Sequence, residues 1–276
     1  MVQLHIITVA TNSKYYLPYL IKSVSRNNNE LKILGFRTKW KGFNYKFNLM
    51  IKHLLILPKN DIVCFIDGYD VICTRDLNNM IDSFNEIKNR EQCKIIVGYD
   101  KHINKIMKLY STWYFTNTFN KPVINSGTYI GTVEDLLNML NIISKIDCSN
   151  IADDQILLNK YNKLYPNEIY IDTNTELFLT ICDKFTELDK YITIKDNIVY
   201  SINNNKPYFI HAAFSGFLDN IIIQLGYKYD MNNMINQQIK NEYNMKIYKY
   251  IKEFFIKNKY NIIFIFIFIF YLLLLI

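Results

Sequence analysis

Two carboxylates, Asp67 and Asp70, follow directly on the apolar run Ile62-Val63-Cys64-Phe65-Ile66, with Gly68 and Tyr69 between them. The run suits a buried strand, and unpaired carboxylates at the mouth of a core are unfavourable. A divalent cation is the most economical compensation. A tight turn eased by Gly68 sets both acids on one side, and hard cations take carboxylate oxygens while keeping positions for phosphate oxygens. The plain alternative is a solvated surface turn. His211 ends a separate apolar segment, Tyr208-Phe209-Ile210. Imidazole together with carboxylates suits Mn²⁺ as well as Mg²⁺, although a histidine in that place also simply closes a strand. Asp153 and Asp154 open a helical pattern, where they either cap the helix and oppose its dipole or face an acceptor hydroxyl. Asn125-Ser126-Gly127 is either turn chemistry or a close approach of backbone to a sugar. The set points to a metal-dependent enzyme acting on a phosphate-bearing donor.

Elements that hold these residues follow from the apolar pattern. Strands are expected at Leu4–Thr11, Leu31–Leu34, Asp61–Ile66, Lys94–Gly98, Val123–Gly131, Ile169–Asp172 and Tyr208–Ile210. Helices are expected through Tyr15–Val24, Phe47–Ile56, Leu77–Ile87 with Asp76 as N-cap, Val133–Ile143, and from Ala152 through Tyr161. Lys39–Lys46 reads as a loop, and Tyr99–Pro122 as a long functional loop with one helical turn. Strands alternating with amphipathic helices imply an α/β fold with a largely parallel sheet covered on both faces. Open sheets of this kind bind ligands at the carboxyl ends of their strands, where Asp67 and Asp70 fall.

The chain has 276 residues, half of them hydrophobic and about a fifth charged, which excludes a disordered protein. Its net charge of +7 comes without a basic run interleaved with aromatics, so nucleic acid is not an expected partner. An anionic donor or an anionic membrane explains the excess equally well. The five cysteines include no C-x-x-C pair, and their odd number excludes a fully paired disulfide framework. There is no N-x-S/T sequon, and Val2 to Ala10 reads into a strand rather than a signal peptide. These features lean towards a reducing, cytosolic setting. Ile262 to Ile276 is an uninterrupted apolar run of 15 residues preceded by Lys257 and Lys259. It is expected to be a tail-anchoring membrane helix, with a buried terminal segment as the alternative.

Five segments in register resemble the glycosyltransferase domain of procollagen lysyl hydroxylases and related collagen-type glycosyltransferases. They are Thr8–Thr11, Phe65–Val71, Asn125–Gly131, Asp153-Asp154-Gln155 and His211, and the resemblance covers about residues 3 to 229. It implies a GT-A, Rossmann-like domain that moves glucose, or else galactose, from a UDP-sugar to an acceptor hydroxyl with Mn²⁺. Carried over, Asp67, Asp70 and His211 are the metal ligands. Val9, Ala10 and Thr11 hold the uridine, and Tyr69 beside Gly68 stacks on or flanks it. Trp40 and Lys46 fall in the nucleotide-contacting region, Asp153 and Asp154 match the acidic pair on the acceptor side, and these two with Asn125 are the candidate catalytic residues. The family's glycine-rich turn after the histidine, with its diphosphate-facing lysine, reads here as His211-Ala212-Ala213-Phe214-Ser215-Gly216, and no lysine follows until Lys228.

The expected organisation is a catalytic domain over 1–229, a polar Lys/Asn-rich linker or helix over 230–259, and an anchor over 260–276. UDP-glucose or UDP-galactose and a protein or glycan acceptor, hydroxylysine included, are the expected partners, with the catalytic domain on the cytosolic side of a membrane. The alternative is a catalytically degenerate UDP-sugar-binding or scaffold protein.

Overall fold

In chain order the elements are β1 (Leu4–Val9), α1 (Leu17–Arg26), β2 (Leu31–Leu34), α2 (Phe43–Leu54), β3 (Ile62–Ile66) and β4 (Val71–Cys73). Next come α3 (Met80–Glu91), β5 (Ile95–Tyr99), α4 (Lys105–Thr116), β6 (Ile124–Thr132), α5 (Val133–Ile146) and α6 (Asp154–Leu164). The series ends with β7 (Ile169–Asp172), β8 (Phe178–Thr180), β9 (Ile192–Lys195), β10 (Ile198–Ser201), β11 (Phe209–His211) and α7 (Leu218–Gln224). This computed structural model describes residues 2–118, 121–146, 153–182, 190–213, 218–230, 235 and 237–238.

The main sheet has six strands in the order β2-β1-β3-β6-β5-β7. Only β6 runs against the rest: it is antiparallel to β3 and β5, while the other pairings are parallel. Side chains alternate across a strand, so β3 serves both faces. Val63 and Phe65 enter a core with Phe47, Met50, Leu136 and Leu140. Cys64 and Ile66 enter another with Leu17, Leu20, Val24 and Phe84. Both faces are thus covered by helices, which explains why β3 is buried along its whole length. A second, three-stranded sheet, β4-β11-β8, packs beside the first through Val71, Cys73, Phe178 and Phe209, and its other face, with Ile72, Leu179 and Ile210, meets α7, β9 and β10.

Several boundaries differ from the pattern-based expectation. Helix α2 begins at Phe43, four residues before the expected start at Phe47, because Asn44 and Lys46 in its first turn are buried through polar contacts rather than apolar ones. Residues 105–116 form a full helix, capped by the Asn104 side chain, where one turn within a loop was expected. Only Ser111 and Thr112 of that helix are buried, so it shows no apolar stripe aimed at a core. The three-residue strands β4 and β8 were not anticipated.

The membrane placement needs correction. Among the described residues, no helix is long and apolar enough to cross a membrane. The tail of residues 260–276 lies outside the described residues, and its 15-residue apolar run is shorter than the roughly 20 residues that span a hydrocarbon core. The tail helix and the tail-anchored, cytosol-facing placement therefore do not stand. Most of the 230–259 segment also lies outside the described residues.

Asp172, at the end of β7, is fully buried and accepts N–H bonds from Glu176, Leu177 and Phe178 at 2.8 to 2.9 Å. Burial outweighs these donors and lifts its pKa from 3.8 to about 6. Because the folded pKa is the higher, the stability tied to this proton is complete below about pH 4 and is lost as pH rises through about 6. Against an Asp172→Asn variant, which cannot titrate, the wild-type stability advantage is expected to shrink by up to about 3 kcal/mol across that window. Urea unfolding of both proteins at a series of pH values reads this directly, and a constant gap would contradict it.

Candidate active site

A cleft of about 590 Å³ opens at the carboxyl ends of β1 and β3 and is lined by Asp67, Asp70, Asn125, Asp153, Asp154 and His211. The backbone turn that carries the two acids is held from both sheets. The Asp67 N–H donates to the Gly127 carbonyl of β6 at 2.8 Å. The Asp70 carbonyl accepts from the Ala212 N–H at 2.8 Å, continuing the antiparallel pairing of β4 with β11. Gly68 crosses β1 so closely that a Cβ there would meet Thr8 Oγ1 at 2.9 Å and Ala10 Cβ at 3.2 Å. The pairing of Val71 with His211 delivers the imidazole to the acids.

His211 is buried, with Nε2 3.3 Å from Asp70 Oδ1 and 3.9 Å from Asp67 Oδ2. Its other nitrogen, Nδ1, lies 2.8 Å from Asn125 Oδ1. That oxygen also accepts from the Gly127 N–H at 3.0 Å, which fixes the amide orientation, because a backbone N–H can only donate. His211 Nδ1 therefore carries a hydrogen, which leaves Nε2 as the nitrogen that faces the two carboxylates. Burial opposes charge on this imidazole, but Asp70 first and then Asp67 more than offset it and hold its pKa above the ordinary histidine value. Two carboxylates and an imidazole nitrogen lie within 4.8 Å of one another. This donor set fits a Mn²⁺- or Mg²⁺-type ion.

The cradle is tight on the side of β6. A Cβ at Gly127 would stand 2.2 Å from His211 Cε1, 2.6 Å from Nδ1 and 3.0 Å from Asp67 Oδ2. Gly127→Ala is expected to push the imidazole out of register and to cost about 1–3 kcal/mol in urea-monitored stability. A variant with unchanged stability would show that the ring has room to move.

Lys46 is the buried counter-ion of the site. Its Nζ lies 3.0 Å from Asp67 Oδ1 and 2.7 Å from Asp154 Oδ2, with the Phe65 ring centroid 4.5 Å away. Burial works against its charge, yet Asp154 and Asp67 raise its pKa above the usual lysine value. One oxygen of Asp67 is thus taken by Lys46 while the other faces His211. Asp153 is the N-cap of α6, its Oδ1 accepting from the Gln155 and Ile156 N–H groups at 2.9 and 3.1 Å. Burial nonetheless raises the Asp153 pKa. The two acids therefore divide the alternatives: Asp153 caps the helix, and Asp154 joins the buried ion network.

Val9, Thr11, Trp40, Gly68 and Tyr69 line the cleft at its β1 end. The Tyr69 hydroxyl accepts from the Thr11 and Asn12 N–H groups at 3.0 and 3.3 Å, which fixes the ring against the end of β1. Tyr15 meets that ring edge-on, and Trp40 makes edge contacts with Phe43 and Tyr45. Ala10 does not line the cleft: it is buried behind the Gly68 turn. Asn12, Lys14, Tyr15, Phe43 and Ala213 also line the cleft, although none is among the site residues expected from the sequence. Lys14 had a readable signal, since it lies in the polar turn after β1, at the carboxyl end of a parallel strand. The segment after Ala213, where the sequence departs from the glycine-rich pattern, lies outside the described residues.

Comparison with known families gives the class: the protein is a glycosyltransferase domain. The matching family model is the one described as the PLOD GT domain, over residues 1–219, and the chain belongs to that family. It is 27% identical over 167 residues to a procollagen-lysine,2-oxoglutarate 5-dioxygenase of Drosophila melanogaster. That stretch takes in 57% of this chain and only 22% of the relative's length. Similar solved structures include a glycosyltransferase involved in glycosylation of the major capsid of PBCV-1, with a TM-score of 0.49 and 11% identity over 76% of this chain and 93% of that one. The galactosyltransferase LgtC, in complex with donor and acceptor sugar analogs, gives a TM-score of 0.44 and 12% identity over 83% of this chain and 98% of its own. Likenesses at this level carry no further weight.

Proposed function

We propose that the protein is a Mn²⁺-dependent hexosyltransferase of GT-A type, moving glucose, or else galactose, from a UDP-sugar to an acceptor hydroxyl. The observation that carries this reading is the convergence of His211 Nε2 with the Asp67 and Asp70 carboxylates at the mouth of a large cleft. Asp67, Asp70 and His211 would hold the cation, which when bound offsets the charge developing on the departing diphosphate. In the transfer, the bond between the sugar's anomeric carbon and the UDP oxygen breaks and one to the acceptor oxygen forms. UDP leaves with the electron pair, and the acceptor's hydroxyl proton passes to the departing diphosphate or to solvent water.

The protein's own groups have separable tasks. The Tyr69 ring, pinned through its hydroxyl to Thr11 and Asn12, offers a rigid face or edge to the uracil, with Val9 and Trp40 lining the same cleft. Backbone at Ala10 shapes this end from behind. Lys14 supplies a cation towards the diphosphate from the β1 side, in place of the lysine that the family carries after its histidine. Asn125 sets the His211 ring, and Asp153, whose Oδ1 caps α6, lines the cleft and would accept a hydrogen bond from the acceptor hydroxyl through its other oxygen. The catalytic unit spans residues 1–229, with 230–259 as a connecting segment. The acceptor is a protein or glycan hydroxyl, hydroxylysine among the candidates.

UDP release measured over a panel of UDP-sugars, with and without Mn²⁺, tests the reading. Release stimulated by Mn²⁺ with UDP-glucose or UDP-galactose is the expected result. The altered segment after His211 favours one second reading, a UDP-sugar-binding protein without turnover. Mn²⁺-dependent UDP binding with no release from any donor would establish that reading instead.

A further inference from the structure

Away from the cleft's acid pair, a second group of ligand-bearing side chains converges on one point. Asp100 follows β5, His102 stands two residues later, and Cys182 follows β8 after Ile181. Cys182 Sγ lies 2.8 Å from Asp100 Oδ1, and His102 Nε2 lies 3.3 Å from Asp100 Oδ2. The thiol, imidazole and carboxylate atoms all fall within 4.8 Å of one another. The place is enclosed: the Asp100 and His102 side chains are 6% and 8% exposed, and Cys182 is 7% exposed. The Ser111 hydroxyl of α4 donates to Asp100 Oδ2 at 2.5 Å, the oxygen that also faces His102, and helps to fix the carboxylate.

We propose that Asp100, His102 and Cys182 form a zinc-binding site. The ligand types decide the metal. A thiolate is a soft donor that hard ions such as Mg²⁺ and Mn²⁺ do not favour, whereas zinc takes sulfur, imidazole nitrogen and carboxylate oxygen together. The first site, with two carboxylates and one imidazole, has the opposite preference, so one chain carries two cation sites of different character. The arrangement does not suit a nucleophilic cysteine. In a triad the imidazole stands between nucleophile and acid, but here the carboxylate stands between thiol and imidazole.

The ligands come from two stretches of chain that β5 and β8 bring side by side. A zinc ion there ties the β5–α4 connection to the end of β8. The tie lies next to the cleft: the Asp100 N–H donates to the Val123 carbonyl two residues before Asn125, and the Ile181 N–H donates to the His211 carbonyl. It therefore steadies the wall on which Asn125 and His211 stand. The assignment does not depend on what the cleft transfers.

Cobalt substitution of the full chain, stripped of metal by a chelator, tests the site. One equivalent of Co²⁺ is expected to give a thiolate-to-cobalt charge-transfer band, and Zn²⁺ to abolish it by displacement. Cys182→Ser is expected to remove the band. His102→Ala is expected to weaken cobalt binding by more than the roughly 10- to 100-fold that loss of an outer-shell partner costs. Because Cys182→Ser could disturb the buried network, the wild-type protein provides a second readout: zinc should protect one cysteine from alkylation under mild denaturant, and peptide mapping should place it at Cys182. No charge-transfer band in the wild type, the same band in a folded Cys182→Ser protein, or zinc protection of another cysteine would each overturn the proposal.

Discussion

Asp70→Ala is expected to lower Mn²⁺-stimulated UDP release by about 100- to 1,000-fold, the scale on which removal of one preorganised electrostatic contact acts. The reason lies in how Asp70 is used. Its carboxylate is half-exposed and faces His211 Nε2 at 3.3 Å, while its backbone carbonyl, which the substitution keeps, accepts the Ala212 N–H. The strand pairing that delivers His211 therefore survives, and the melting temperature should move little. What goes is one hard oxygen donor and the attraction that draws positive charge to the imidazole. Activity and stability measured on one preparation separate the two effects. Wild-type release from a folded Asp70→Ala protein would sink the metal assignment.

Lys46→Met is expected to act in the other direction, on stability first. The ammonium is 5% exposed and bonded to Asp67 and Asp154, and the Asp154 side chain is 8% exposed. Removing the cation leaves Asp154 as a buried charge without its partner, a change that costs about 3–5 kcal/mol. For a chain of this size that lowers the melting temperature by roughly 10 °C. If the loss is that of an orphaned charge, the double variant Lys46→Met/Asp154→Leu should recover much of it, since apolar replacements of buried ion pairs are often neutral. A double variant as unstable as the single one would mean that Lys46 is needed for its packing against Phe65 instead.

The acid pair and the histidine were legible in the sequence because each ends an apolar run, and a core strand that stops at a charge announces a ligand-facing edge. The parallel sheet was legible from the same alternation of strands and helices. Lys46 was readable as a site residue but not as a buried one. It sits in what pattern alone makes a loop, and its burial is decided by Asp154, 108 residues later. β4 escaped notice because three residues hold no periodicity, yet it aligns Asp70 with His211. The helix at residues 105–116 escaped because its apolar side chains face outward: Ile106, Leu109, Tyr110 and Trp113 are all exposed. In each case tertiary neighbours, rather than local preference, determine the role.

The Asp67–Asp70 turn bridges two sheets: Asp67 is tied to the long sheet through Gly127, and Asp70 to the short one through Ala212. During synthesis the two acids and the strand before them emerge early, whereas β11 and its imidazole emerge near the end of the domain. A nascent or prematurely terminated chain can thus build most of the long sheet and still lack the third ligand. Under the proposed assignment of Asp67, Asp70 and His211 as ligands, cation capture would be a late event, and the ion would serve as a latch that closes only once β11 has arrived.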